Sequence, residues 1–103
     1  MDGKVIQVTI VHLKPGIEDL VLPDLASLVE ATRQNSGCLS FDIYRLVKDP
    51  NLWVLQETWE TEEAHKAYAF SPLKVELTNL LLQSTSKPME TLDVEELCLH
   101  SGG

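Results

Sequence analysis

The spacing of apolar residues in the first third of the chain predicts a strand followed by a helix. Val5–Leu13 is rich in β-branched residues and predicts a strand that ends at the turn Lys14-Pro15-Gly16. Between Leu22 and Gln34 apolar residues recur at helical spacing, which places Pro23 in the first turn of that helix. Asn35-Ser36-Gly37 supplies the stop signal. The apolar stripe of the helix is expected to contain Leu22, Leu25, Leu28, Val29 and Thr32.

The next part of the chain predicts a β-hairpin. Cys38–Val47 alternates apolar and polar residues, Lys48-Asp49-Pro50-Asn51 is rich in turn formers, and Leu52–Glu60 forms the returning strand. Because strand side chains alternate between the two faces of a sheet, one face of the first of these strands should carry a row of large apolar residues. The predicted row contains Leu39, Phe41, Ile43 and Val47.

The remaining residues predict two short helices and a last strand. Thr61 is a suitable N-cap for a helix that runs through residues 62–70, and Ser71-Pro72 combines an N-cap with a proline at the first helical position. Met89–Cys98 has the composition of a strand, and residues 99–103 are expected to be a frayed tail. The apolar stripe of the third helix contains Leu73, Leu77, Leu80 and Leu81.

The resulting order of elements, β-α-β-β-α-α-β, defines the fold class. It predicts an α+β fold of the ferredoxin-like split β-α-β type, with a four-stranded antiparallel sheet and the helices on one face. At 103 residues the chain fits a single domain over residues 1–103, with its core at about 4–98. In the first strand, Ile6 and Val8 point to one face while Val5 and Val11 point to the other. Helices on one face cannot cover both rows, so we expect a homodimer.

Charge and cysteine content narrow the possible partners. Eight Lys and Arg stand against sixteen Asp and Glu, a formal net charge of -8 that repels nucleic acid and anionic membranes. The residues from Met1 to Val11 lack the features of a signal peptide, and no apolar run reaches the length of a membrane span. Cys38 and Cys98, at opposite edges of the expected sheet, predict no disulfide and favour a cytoplasmic location.

Several motifs together resemble the antibiotic biosynthesis monooxygenase domain family. They are Gly37–Tyr44, Trp53–Glu60, Glu63-Ala64 and Ser71-Pro72, with Lys14-Pro15-Gly16 before the first helix. This resemblance implies a dimeric α+β barrel in which each subunit holds a pocket between its helices and its sheet. It also implies the oxidation of a small hydroxyaromatic or quinol substrate by dioxygen, with no cofactor.

Three residues are the candidate catalytic groups. Trp59 matches the family's Trp at the end of the third strand, where its ring can line the pocket and its indole N–H can donate to a substrate oxygen. His65 and Tyr68 lie one helical turn apart and are the expected base and donor. The chain departs from the family here, because members often carry His at the position of Tyr68.

Four further residues are expected to bind the substrate. Phe41, Leu73 and Leu77 belong to the apolar faces that would meet between sheet and helices. His12 ends the row that begins with Ile6, so it is placed at the pocket or at the dimer seam. A strand-end surface histidine is the alternative for His12.

Other functions fit the same pattern. Some relatives degrade haem with an Asn and a His, but Thr9 and Leu77 occupy the corresponding positions here. An isomerase of a small signalling or sugar-derived metabolite and a non-catalytic small-ligand-binding dimer both remain open. His12, His65 and His100 show no metal-binding spacing, so we expect no metal site.

Overall fold

A computed structural model describes residues 3–97 and contains one antiparallel sheet with three helices packed on one face. The neighbouring strands are ordered β2-β3-β1-β4. This arrangement confirms the predicted α+β, ferredoxin-like fold. Cys98 and the predicted tail at 99–103 lie outside the described residues. The elements are β1 (Val5–His12), α1 (Glu18–Arg33), β2 (Cys38–Arg45), β3 (Leu52–Trp59), α2 (Glu62–Ala69), α3 (Pro72–Ser84) and β4 (Glu90–Val94).

The core lies between the helices and the inner face of the sheet. In β3 every second residue is buried, which matches the two-residue repeat of a strand with one face covered. Their neighbours on β1 and β2 point the same way, because paired residues of adjacent strands share a face. The buried apolar residues are Val11, Leu13, Val21, Leu25, Val29, Phe41, Trp53, Leu55, Trp59, Tyr68, Leu77 and Leu81.

The first helix begins earlier than the sequence predicts. α1 starts at Glu18, so Pro23 is its sixth residue and lies in the second turn rather than the first. The buried stripe also differs from the prediction, because Leu22 is 44% exposed while Val21 faces the core. Glu18 and Asp19 lie in the first turn of α1 and favour this earlier start, because acidic side chains interact favourably with a helix N-terminus.

A β-bulge in β2 changes which residues face the core. The pairing of β2 with β3 is irregular between Cys38 and Ser40, and Leu39 is 52% exposed as a result. The prediction that Leu39 shares a face with Phe41 is therefore wrong. The strand also ends before Val47, which is 96% exposed.

The two short helices have the predicted caps. Thr61 Oγ1 accepts a hydrogen bond from the backbone N–H of Ala64 at 3.1 Å, and Ser71 Oγ accepts one from Lys74 at 3.3 Å. Pro72 occupies the first turn of α3, where its missing N–H has no cost. The Thr61 cap fixes the start of α2 directly after β3, which holds α2 against the end of that strand.

The outer face of the sheet, which points away from the helices, carries an apolar patch centred on β1. Ile6, Val8 and Ile10 of β1 lie on it, half-buried, and so do their β3 partners Gln56 and Val54. The whole of β4 is exposed, including Leu92 and Val94 on the same face. Among residues 3–97, no helix is long and apolar enough to cross a membrane.

Candidate functional site

A buried carboxyl group lies at the centre of the candidate site. Glu57 and Trp59 are two residues apart on β3, so both point to the inner face of the sheet. Glu57 is 3% exposed, and its Oε1 accepts a hydrogen bond from Trp59 Nε1 at 2.9 Å. His65 on α2 places Nε2 at 3.9 Å from the same oxygen and keeps 19% of its side chain exposed. His65 therefore lies between solvent and the buried carboxyl group of Glu57.

Tyr68, one turn further along α2, covers the other side of Trp59. The two rings stack with centroids 4.7 Å apart and an interplanar angle of 26°. The Tyr68 hydroxyl is buried and lies 3.4 Å from Thr32 Oγ1 on α1. Burial raises the pKa of Tyr68 to about 12, and the negative charge of Glu57 adds to this against the opposing hydrogen bond to Thr32. Tyr68 is thus a neutral donor at physiological pH, and it is a poor base.

A small cleft of about 210 Å³ opens beside the stacked rings. It lies between α2 and the loop that joins α1 to β2. Most of its wall is apolar, and Asn35, one of the lining residues, has a buried Nδ2 atom without a hydrogen-bond partner in the described part of the chain. The lining residues are Asn35, Ser36, Trp59, Ala64, Ala67, Tyr68 and Ser71.

Gly37 sets the distance between that loop and α2. Its φ of +87° is a conformation that residues with a side chain rarely adopt. A Cβ added to Gly37 would lie only 2.5 Å from the Cβ of Ala64. Glycine at this position therefore satisfies the turn and also allows the close approach that shapes the cleft.

The structure brings together the three predicted catalytic residues. The rings of His65 and Trp59 have centroids 6.4 Å apart, and Tyr68 stacks on the indole. One predicted detail needs correction, because the Trp59 indole N–H already donates to Glu57. To donate to a substrate instead, it would have to leave a buried carboxylate without its partner, which is costly. Trp59 is fully buried, so its ring supports the wall of the cleft from behind Tyr68.

The predicted substrate-binding residues do not gather around this cleft. His12 pairs with Leu52 on the outer face of the sheet, so it cannot share a space with Trp59 within one subunit. Phe41 and Leu77 are each 1% exposed and form part of the core, where packing leaves no free surface. Leu73 is half-buried against the same core. Phe41 and Leu77 are not free to bind a ligand because close packing fills most of the space between sheet and helices. His12 lies on the outer face instead, where the alternative placement at a dimer seam stays a prediction.

Sequence reasoning missed two residues of the site and misjudged a third. Glu57 lies in a row with Leu55 and Trp59, so a charged residue on an otherwise apolar strand face was the available signal. Thr32 was placed in the apolar stripe of α1, and its role as partner of Tyr68 had no signal in the sequence. Asn35 was interpreted only as part of a helix stop.

A larger cleft of about 280 Å³ lies near the start of β3, where Trp53 forms part of its wall. Trp53 and Trp59 are six residues apart, which is roughly 20 Å along a strand. The charged groups of this cleft, Arg45 and Glu18, already form an ion pair at 2.8 Å. We favour the smaller cleft because it adjoins the buried acid and carries an unpaired donor.

Across residues 3–97, no group of three His, Cys, Asp or Glu side chains is placed to hold a metal ion.

Comparison with known proteins gives this site a family context. The family model for antibiotic biosynthesis monooxygenases matches residues 4–73. A crystal structure of an antibiotic biosynthesis monooxygenase aligns with a TM-score of 0.83 at 26% identity, covering 91% of this chain and 99% of that one.

Two more distant structures share the fold. A conserved protein from Methanosarcina mazei Go1 has a TM-score of 0.85 at 21% identity, over 91% of this chain and 93% of its own. A protein from Mycobacterium tuberculosis has a TM-score of 0.84 at 19% identity, over 96% and 100%. None of the curated proteins matches the sequence. Because the family model covers well over half of the residues, this chain belongs to the antibiotic biosynthesis monooxygenase family.

Proposed function

We propose that this protein is a cofactor-independent monooxygenase that oxidises a small hydroxyaromatic or quinol substrate with dioxygen. The substrate would bind in the cleft beside Trp59 and Tyr68. The observation that carries the proposal is the stacked pair of rings, which forms one wall of a cleft of about 210 Å³ and is backed by the buried carboxyl group of Glu57. Membership of a family named for monooxygenases supports the reaction class.

The size of the cleft limits the substrate. An engineered protein cavity of about 150 Å³ is sufficient to hold benzene. A cleft of about 210 Å³ therefore fits one aromatic ring with small substituents, and larger fused systems would extend into solvent. The methyl groups of Ala64 and Ala67 offer an apolar surface for the ring. We therefore expect single-ring phenols and hydroquinones to be preferred.

The reaction needs no external reductant, because the substrate supplies all the electrons. The phenol loses its proton, and the electron-rich anion passes one electron to dioxygen. The two radicals combine at a ring carbon that bears hydrogen, which gives a hydroperoxide. Loss of water from the hydroperoxide leaves a quinone. One oxygen atom of dioxygen becomes the new carbonyl oxygen, and the other leaves in water with the two hydrogens that the substrate has lost.

The residues of the site would divide these tasks. His65 would take the phenolic proton, and Glu57, 3.9 Å away, would stabilise the resulting imidazolium. His65 does not line the cleft, so the proton would reach it through one water molecule. Tyr68 remains protonated and would serve as a donor. The stacked rings would shield the oxygenated intermediate from water.

The homodimer expected from the sequence is part of this proposal. The outer face presents Ile6, Val8, Ile10 and Val54 as a contiguous apolar surface without helices over it. A second copy of the sheet could stack on this face at about 10 Å and bury both surfaces. A cytoplasmic location, favoured by the low cysteine content, also remains a prediction.

Oxygen uptake tests the proposal. Metal-stripped protein is supplied with hydroquinones, naphthols and anthrone-like phenols, and the rate is compared with autoxidation. We expect uptake above autoxidation, greatest for single rings, and its loss in Trp59→Phe and Tyr68→Phe. Trp53→Phe is the matched control, because that residue is equally buried but lies at the other end of β3. Uptake equal to autoxidation with every substrate would refute the proposal.

A non-catalytic ligand-binding dimer is the second candidate, and one observation favours it. Among residues 3–97, the only titratable side chain in the wall of the cleft is that of Tyr68, whose raised pKa keeps it neutral. A binder without a base would show ligand-induced thermal stabilisation with no oxygen uptake. Stabilisation accompanied by turnover would rule this candidate out.

A further inference from the structure

We propose that Asn35 anchors the ligand in this cleft by donating a hydrogen bond from its side-chain amide to an oxygen atom on the ring. Nothing in the family match or the structural neighbours assigns a role to this residue. The identity of the ligand as a phenol or quinol rests on the proposed function, whereas the existence of an oxygen-recognising site does not.

Asn35 is the lining residue with a buried donor to spare. Its Nδ2 is buried and has no acceptor among residues 3–97. Two other buried donors of the cleft wall are occupied, since Trp59 Nε1 donates to Glu57 and the Ser71 hydroxyl donates to the backbone oxygen of Tyr68 at 2.6 Å. The third, the Tyr68 hydroxyl, has Thr32 Oγ1 as a neighbour at 3.4 Å. Because buried polar groups are nearly always paired, an unpaired one in the wall of a cleft indicates a binding role.

The backbone hydrogen bonds of Asn35 fix the position of this residue, and they do not require its side chain to be asparagine. Its N–H donates to Thr32 O at 3.0 Å, and its carbonyl accepts from the N–H of Cys38 at 3.1 Å. The left-handed conformation that often selects asparagine is not used, because the positive φ of this turn falls on Gly37. The local fold therefore gives no reason for an amide side chain at position 35.

The chemistry of the cleft defines the ligand class. A neutral amide N–H recognises an oxygen acceptor such as a phenolate, a phenol or a quinone carbonyl, and it binds an ionised oxygen most strongly. Ala64, Ala67 and the edges of the stacked aromatic pair would contact the rest of the ring. The predicted ligand is a single aromatic ring with one oxygen directed towards Asn35 and its remaining surface apolar.

A matched pair of ligands isolates this contact. Para-cresol and toluene have nearly the same shape and differ by one hydroxyl group. Binding is measured without oxygen, so that no turnover occurs, by the change in Trp59 fluorescence in a Trp53→Phe background, where a single indole remains. We expect para-cresol to bind about tenfold to a hundredfold more tightly than toluene.

Substitution of Asn35 should remove that preference. In Asn35→Ala we expect para-cresol affinity to fall at least about tenfold and toluene affinity to stay the same. The melting temperature of the unliganded protein should stay constant or rise, since a buried unpaired donor has been removed. Asn35→Leu, which keeps the size and shape but has no hydrogen-bonding group, should likewise lose the preference for para-cresol. Gln34→Ala is the control, because this exposed neighbour of Asn35 does not line the cleft, and it should change the binding of neither ligand.

Several outcomes would overturn the inference. They are equal binding of the two ligands, no binding of either, or unchanged para-cresol affinity in Asn35→Ala together with a lower melting temperature, which would make Asn35 a structural residue.

The two proposals fail separately. Binding that depends on Asn35 without oxygen uptake would contradict the oxidation but not the site. Oxygen uptake unaffected by Asn35→Ala would contradict the site but not the oxidation.

Discussion

The buried phenol of Tyr68 predicts a specific loss of stability in alkaline solution. Its pKa is raised from 10.0 to about 12, chiefly by burial, whereas the phenol of the unfolded chain keeps the ordinary value. Below pH 10 both states hold the proton, and the contribution of Tyr68 is fully present. As the pH rises from 10 towards 12, the unfolded chain loses its proton first, so the free energy of unfolding falls.

The size of this effect follows from the shift. Complete ionisation above both pKa values would remove at most about 2 to 3 kcal/mol. Between pH 10 and pH 11 alone the loss should be about 1 kcal/mol. In Tyr68→Phe this component is absent. The substitution itself should cost less than about 1.5 kcal/mol at neutral pH, because Thr32 keeps its hydrogen bond to Leu28 O at 2.8 Å and is not left unpaired.

Urea unfolding at a series of pH values measures this difference between wild type and Tyr68→Phe. Tyr44→Phe is the control, since that side chain is 54% exposed on the outer face of the sheet. In the control variant, the ultraviolet absorbance of tyrosinate reports Tyr68 alone, because the chain has two tyrosines. A Tyr68 that ionises near pH 10, or an equal alkaline loss of stability in Tyr68→Phe, would refute the reasoning.

Three other predictions concern packing and assembly. Glu57→Ala should cost about 1 to 3 kcal/mol more than Glu57→Gln in urea unfolding, since only Gln keeps an acceptor for the Trp59 indole; equal costs would contradict this. Gly37→Ala should lower the melting temperature through both its positive φ and the contact with Ala64. Adding Ala64→Gly to the Gly37→Ala variant should restore part of that loss, and the absence of any restoration would show that the contact with Ala64 is not the source of the strain. Val8→Lys should give folded monomers in sedimentation experiments if the outer face joins two subunits; a monomeric wild type would contradict the dimer.

The fold was predictable because its signals are local and repeated. Alternation in β3 and the caps at Thr61 and Ser71 each determine an element from a few adjacent residues. In β2 the prediction failed where one extra residue changes which side chains face the core. The bulge between Cys38 and Ser40 exposes Leu39, and no property of that side chain signals the extra residue.

The candidate site was less predictable because it depends on contacts between distant segments. Trp59, His65 and Tyr68 are close in sequence, and their rings lie close together in the structure. Thr32 near the end of α1 and Asn35 in the loop after it lie beside Tyr68. Their roles therefore depend on how this part of the chain packs against α2. A single sequence does not specify the distance between that loop and α2, which in this protein depends on the close approach of Gly37 to Ala64.

The most direct test of the central claim is the fate of dioxygen. Metal-stripped protein is given a single-ring hydroquinone under isotopically labelled dioxygen, and the products are analysed by mass spectrometry. The account predicts one labelled oxygen atom in the quinone product and the other in water, with label incorporation lost in Trp59→Phe and retained in Trp53→Phe. A product that contains no labelled oxygen, or incorporation no faster than without protein, would contradict the assignment of this chain as a monooxygenase.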